Sequence, residues 1–235
     1  MQQKKLFIRQ MYATLADGYD RANHVISLGR DHRWRQRAVA KLPRRGWLVD
    51  LGGGTGDMTQ AYFDRHPAAG RVVFVDFSRE MIRCARRKFA AQPWRDRVHF
   101  VLADVEHLPF KPSVFAGGMS AFVLRNLPSV EKVARETARV LQPGRGGVFL
   151  DATRPSGGWW RRVYDFYWQR VMPLIAAAVH RAHHSAYRYL AGSVIEFPPA
   201  DEISQSFRRA GFAECRYCIL WGGIATIFNP INPGR

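Results

Sequence analysis

Cysteine is scarce in this chain, three in 235 residues, too few for a disulfide framework and in keeping with a reducing, cytoplasmic setting. Acidic residues are few as well: 19 stand against 36 lysines and arginines, a formal net charge of +17. No apolar run approaches the ~20 residues of a membrane-spanning helix. The opening segment, MQQKKLFIRQMYATLADGYD, alternates charged and apolar residues and is expected not to be a secretory signal. Repeats and low-complexity tracts are missing, which excludes fibrous, disordered and array-like classes. What is present is a 47% hydrophobic composition, enough for one domain with its own core. The positive charge rests on arginine, since only six of the 36 basic residues are lysines. Two readings stay open: contact with an anionic membrane surface or nucleic acid, or composition alone.

Along the chain, helical and extended patterns alternate. Helical periodicity covers Gln2–Ala16, Asp31–Lys41, Asp57–His66, Ser78–Ala91, Ser129–Leu141 and Asp201–Ala210. Ser78 precedes its helix as an N-cap, with Glu80 in the first turn. Apolar runs at Gly46–Leu51, Arg71–Asp76, Val98–Leu102, Val114–Phe122 and Gly147–Asp151 read as strands, and their continuity predicts a parallel sheet covered on both faces. Phe212–Trp221 and Ile224–Phe228 predict a closing antiparallel pair. The expected organisation is a single α/β domain: an N-terminal helical lid over 1–42, a core over 46–151, an aromatic helical insertion over 157–195, and a closing helix and hairpin over 199–228.

Between the first strand and its helix lies Asp50-Leu-Gly-Gly-Gly-Thr-Gly-Asp57. A glycine-rich turn at the carboxyl end of a strand lets a ligand approach the backbone closely. A dinucleotide fingerprint begun at Gly52 needs glycine at position 57, where Asp57 stands. An acid there repels a pyrophosphate on the helix N-terminus. S-adenosylmethionine has no phosphate and carries an ammonium and a sulfonium, so flanking acids suit it. Asp76 closes the second strand, placed for ribose hydroxyls, and Asp104 follows the third, placed for the adenine amino group.

These residues are similar to the UbiE/MenG C-methyltransferases of ubiquinone and menaquinone biosynthesis, over nearly the whole chain. The resemblance rests on Tyr19-Asp20 with Asn23, Ser27-Leu-Gly29, Trp34-Arg35, Gly53-Gly-Thr-Gly-Asp57 with Thr59, Leu108-Pro-Phe110 and Leu124-Arg-Asn126. It continues through Arg139-Val-Leu with Pro143-Gly144, Tyr187-Arg-Tyr-Leu190 with Ser193, and Gly211-Phe212. It implies a class I methyltransferase fold: a Rossmann-like, mostly parallel seven-stranded sheet with an antiparallel last hairpin. It further implies ring-carbon methylation of a prenylated quinol, with Thr59, Asp76, Asp104 and Val105 at the cofactor. Asp50, Gly52, Gly53, Gly54, Gly56, Phe77, Ser120 and Tyr19 complete the expected cofactor set. The sequence departs from the family pattern at Ala116, Ala121, Val123, Arg145 and Ala186, positions that bear on the acceptor rather than on the glycine turn.

For catalysis, Arg125 is expected to stabilise a phenolate and Asn126 to orient a ring oxygen, the proton leaving through water because arginine stays protonated. Tyr187 and Tyr189 are the candidate substrate residues. Alternatives on the same fold are a phospholipid N-methyltransferase and an RNA methyltransferase, the latter without an appended RNA-binding module; nucleic acid is not the expected partner. No metal is expected. Cys215 and Cys218 fall in a predicted strand where residues three apart face opposite sides, and His180, His183 and His184 read as a solvated or membrane-facing helix end. Trp160, Tyr164, Tyr167, Val171 and Leu174 recur at helical spacing. That stripe either packs on the sheet as a pocket lid or, with Arg161, Arg162 and Arg170, lies in a membrane interface. Peripheral membrane contact is therefore expected, and a homodimer is left open.

Overall fold

The computed structural model describes residues 24, 27, 29–155, 157–167, 170 and 192–234. Helix α1 (Asp31–Val39) leads into β1 (Trp47–Leu51), α2 (Asp57–Arg65), β2 (Arg71–Asp76), α3 (Arg79–Phe89), β3 (Val98–Leu102) and β4 (Gly117–Ala121). Then follow α4 (Val130–Val140), β5 (Gly147–Ala152), α5 (Gly158–Phe166), α6 (Ala200–Arg209), β6 (Glu214–Leu220) and β7 (Ala225–Ile231). The seven strands form one sheet in the order β3-β2-β1-β4-β5-β7-β6. The first five run parallel, and β7 is antiparallel to both β5 and β6. Crossing from β3 outward on one side and to β4 on the other places the topological switch at β1, the point where open α/β sheets take ligands.

The strands read as unbroken apolar runs because both faces are covered. One core layer packs Ala38, Tyr62, Phe63, Ala85 and Phe89 of α1–α3 against Leu48, Phe74 and Met119 of the sheet. The opposite layer packs Val133, Val140, Ile203 and Phe207 of α4 and α6 against Val49, Val75 and Phe149. Ser78 and Ser129 cap α3 and α4, each side chain accepting from the backbone N–H three residues on.

Two expectations change. Strand β4 is shorter than the Val114–Phe122 run. The N–H groups of Val114 and Phe115 both donate to Val140 O, at 2.8 and 2.9 Å, so this part pairs with the end of α4. At the other end Phe122 turns to φ 62° and stops the strand. In the aromatic segment the described helix is α5, and the rest of Gly157–His184 lies mostly outside the described residues. The described members of the predicted stripe pack inward: Tyr164 is 3% exposed and donates its hydroxyl to Thr153 O at 3.0 Å. Trp160 Nε1 donates to Gly222 O at 3.1 Å. The outward row is Trp159, Val163 and Phe166, 73%, 46% and 62% exposed.

Candidate active site

The carboxyl ends of β1, β2, β3 and β4 surround an open cleft. Its floor is the glycine turn. The N–H groups of Gly52 and Gly53 donate to Val75 O at 2.8 and 3.0 Å, which folds the turn back over β2. A Cβ on Gly53 would lie 2.3 Å from the Phe74 ring, so any larger residue pushes the turn off the sheet. Gly56 begins α2 with φ 96°, and a Cβ there would lie 2.2 Å from Phe89. Gly54 has nothing within 4 Å of its would-be Cβ, leaving backbone open to a ligand.

Five acids line this cleft: Asp50, Asp57, Asp76, Asp104 and Glu106. Asp50 is fully buried; Thr59 Oγ1 donates to its Oδ2 at 2.6 Å, and its Oδ1 has no hydrogen-bond partner among the described residues. Burial pushes the Asp50 carboxyl up to about 7, with the Thr59 hydrogen bond pulling the other way. Asp76 accepts from Gly54 N–H at 2.9 Å and from Ser78 N–H at 2.8 Å. It thus clamps the glycine turn to the start of α3, and each oxygen keeps a second lone pair for a ligand hydroxyl. Burial pushes Asp76 up to about 6, against its backbone hydrogen bonds. Asp104 lines the cleft and accepts from Glu106 N–H at 2.9 Å. Phe77 and Val105 supply apolar wall between the last two. An acid for an ammonium, an acceptor for ribose and apolar surface for adenine fit S-adenosylmethionine.

Beyond β4 the chain makes a tight 3-10 turn, Leu124–Asn126. Asn126 is buried, lines the cleft and donates Nδ2 to Phe122 O at 3.1 Å. Arg125 is absent from that lining and borders a second cavity together with Leu124 and Ser129. Its Nη1 donates to Asp151 Oδ1 at 2.5 Å, and the Arg125 and Asp151 side chains are 5% and 0% exposed. Burial raises the Asp151 carboxyl, and Arg125 offsets part of that. Leu127 and Pro128 wall both cavities. The Phe122 ring lies between two guanidiniums, 5.0 Å from Arg35 and 5.4 Å from Arg125.

Several assigned residues move. Thr59 is fully buried behind Asp50 and absent from the cleft lining, so it orients that acid. Ser120 donates to Leu51 O at 2.7 Å, inside the sheet, and its neighbour Ala121 lines the cleft instead. Gly56 shapes the turn without lining the cleft. Arg125, expected to stabilise a phenolate, is buried and held by Asp151. Tyr19, Tyr187 and Tyr189, with Asp20 and the three histidines, lie outside the described residues. Leu108-Pro-Phe110 is a packing motif: Arg139 donates to the carbonyls of Leu108 and Phe110 at 3.0 and 2.7 Å. Three groups near the site were given no role in it from the sequence: Arg35, named only in the Trp34-Arg35 pair, Asp57, named only as an acid flanking the turn, and Asp151. The Asp31/Arg35 spacing of four on one helix was the available signal for the first. Burial raises Asp57, but Arg35 and Lys88 outweigh it and hold the carboxyl below the ordinary range.

Sheet order, glycine turn and strand-end acids together define a class I, S-adenosylmethionine-dependent methyltransferase. Solved structures agree on the fold. A methyltransferase of Thermotoga maritima superposes with a TM-score of 0.65 at 16% identity, covering 95% of this chain and 98% of that one. Human N-acetylserotonin methyltransferase does so with a TM-score of 0.59 at 14% identity, covering 86% of this chain and 52% of that one. The chain belongs to the ubiE/COQ5 methyltransferase family, whose model matches residues 1–231. It is 34% identical over 224 residues to the ubiquinone/menaquinone biosynthesis C-methyltransferase of Geotalea daltonii, covering 94% of both chains. It is 32% identical over 232 residues to the demethylmenaquinone methyltransferase of Symbiobacterium thermophilum, covering 96% of this chain and 92% of that one.

Proposed function

We propose that this enzyme transfers the methyl group of S-adenosylmethionine to a ring carbon of a reduced isoprenoid quinone precursor, of the demethylmenaquinol or polyprenyl benzoquinol type. When bound, the cofactor supplies a methyl made electrophilic by the adjacent sulfonium. Asp50 and Asp76 hold its polar ends, and Phe77 and Val105 flank the base. The observation that carries the acceptor side is the Leu124–Asn126 turn, where Asn126 lines the cofactor cleft and Arg125 is held by Asp151 near the carboxyl end of β5. A ring carbon attacks once a neighbouring phenol has lost its proton. Arg125 stabilises that phenolate, whose proton goes to water. As the carbon takes the methyl, the sulfur–methyl bond breaks and S-adenosylhomocysteine departs. The ring C–H proton then moves by way of water to the phenolate oxygen, and Asp151 holds the guanidinium in place. Tyr187 and Tyr189 remain proposed substrate contacts. The test is the redox state of the acceptor: methylation of the quinol on carbon, with the oxidised quinone inert, is the expected result. Methylation on a ring oxygen contradicts the reading.

Peripheral membrane contact is part of the same proposal, because a prenylated quinol resides in the bilayer. The outward row of α5, Trp159, Val163 and Phe166, carries exposed Arg161 and Arg162 beside it, a combination suited to the headgroup boundary. Among the described residues no helix is long and apolar enough to cross a membrane.

A further inference from the structure

Phe122 lines the cofactor cleft and is buried, yet it stands in a conformation that is costly for a bulky side chain. Its φ is 62°, in the left-handed region where glycine and asparagine are at home and an aromatic residue is strained. Its surroundings hold it there. The N–H donates to Leu150 O at 2.7 Å, tying the turn to β5. The carbonyl accepts from Nδ2 of Asn126 at 3.1 Å. Glycine would make this turn without strain, so what phenylalanine contributes is its ring.

That ring carries the guanidinium carbon of Arg125 over it, 5.4 Å from its centre, and that of Arg35 at 5.0 Å. The Asp151 contact, Nη1 to Oδ1 at 2.5 Å, fixes one corner of the Arg125 fork. A ring against the face fixes its plane. An aromatic face holds a cation without taking any of its in-plane N–H donors. The attraction is stronger where water is excluded, and the Arg125 side chain is 5% exposed. Leucine would fill the same apolar space and offer no such face.

We propose that Phe122 is a positioning residue, whose ring sets the plane of the Arg125 guanidinium toward the acceptor oxygen. This role requires the Arg125–phenolate contact proposed above. The backbone strain follows from drawing three parts of the site out of one turn: the ring, the carbonyl that holds Asn126, and Arg125 itself. Arg35, near the same ring, lines the cofactor cleft, from whose lining Arg125 is absent. An effect of the ring on turnover is therefore separable from an effect on cofactor binding.

The test replaces Phe122 by phenylalanines carrying one, two and three ring fluorines, which withdraw charge from the π-face with little change of size. Single-turnover transfer is followed with saturating methyl-labelled S-adenosylmethionine and reduced quinone extract. The rate is expected to fall stepwise, about three- to thirtyfold over the series, the range of a desolvated cation–π contact. Tm and affinity for S-adenosylmethionine should stay nearly constant, and Phe122→Leu should match the slowest member. In Arg125→Ala protein the series should be flat. A flat series in otherwise wild-type protein overturns the positioning role and leaves Arg125 its own. A fall in S-adenosylmethionine affinity at unchanged rate assigns the ring to Arg35 and overturns that role as well. So does an equal decline in rate with and without Arg125. Arg125→Ala protein that transfers at the wild-type rate overturns the reading of Arg125 and the role of Phe122 together, as does wild-type protein that labels no quinol.

Discussion

Asp50 and Asp76 make the cofactor cleft sensitive to pH through their burial. Their carboxyls are pushed up to about 7 and about 6, so both take protons as the solution falls below neutrality. The ionised forms are the ones that face an ammonium and accept from hydroxyls. Affinity for S-adenosylmethionine is therefore expected to fall between pH 8 and pH 5.5, by about tenfold for each unit below the governing value. The sign for stability is opposite. A carboxyl raised on folding contributes stability that is complete below its ordinary value of about 4 and is lost as pH rises through the folded value. The ligand-free protein should thus lose stability as pH rises from about 4 to about 7 and level off above that, while the cofactor binds better at the upper end. Titration calorimetry at several pH values checks this, and a flat profile contradicts the role given to Asp50. At Arg125 the expectation concerns rate. Arg125→Ala should lower the transfer rate with cofactor affinity nearly unchanged, since Arg125 is absent from the cofactor-cleft lining; each tenfold loss corresponds to ~1.4 kcal/mol. Asp151→Asn should lower the rate in the same direction by freeing the guanidinium. Parallel loss of cofactor binding in either variant would make the pair a structural support.

At the scale of elements, strand and helix patterns reported much of this fold, and the misses have physical reasons. Strands β2 and β3 occupy the residues that their apolar runs predict, although only β2 is buried along nearly its whole length and β3, at the sheet edge, is partly exposed. Strand β4 is overextended in the sequence reading because pattern cannot distinguish Val114-Phe115 pairing with α4 from pairing in the sheet. The glycine turn and its acids were legible because the chemistry is local. Thr59 and Ser120 were misassigned because the direction of a side chain at a strand end depends on which neighbour it meets: Asp50 for one, the Leu51 carbonyl for the other. Asp151 was hidden because its partner stands 26 residues away on the adjoining loop. Helix α5 supplies the test at this scale. Trp159→Ala with Phe166→Ala should weaken binding to anionic vesicles at low salt with little change in Tm. Tyr164→Phe should cost about 1 kcal/mol of stability from the lost Thr153 hydrogen bond. If the outward variant sediments with vesicles as well as the wild type does, the row has no membrane role.

For the whole molecule, the +17 charge invites two partners that the fold alone does not separate, anionic lipid and nucleic acid. Arginines of this chain are already engaged in holding the structure: Arg35 with Asp31, Arg125 with Asp151, Arg139 with Glu136, Arg154 with Asp165. The charge excess is therefore not free surface potential throughout, and the acceptor must be read from the site and the family. The most direct measurement supplies methyl-labelled S-adenosylmethionine together with reduced quinone extract, phospholipid vesicles and RNA, in parallel and under reducing conditions. Label on a ring carbon of the quinol, absent from the other two acceptors and lost in Asp76→Ala, is the predicted result. Label recovered in phospholipid or RNA, with none in the quinol, would contradict it.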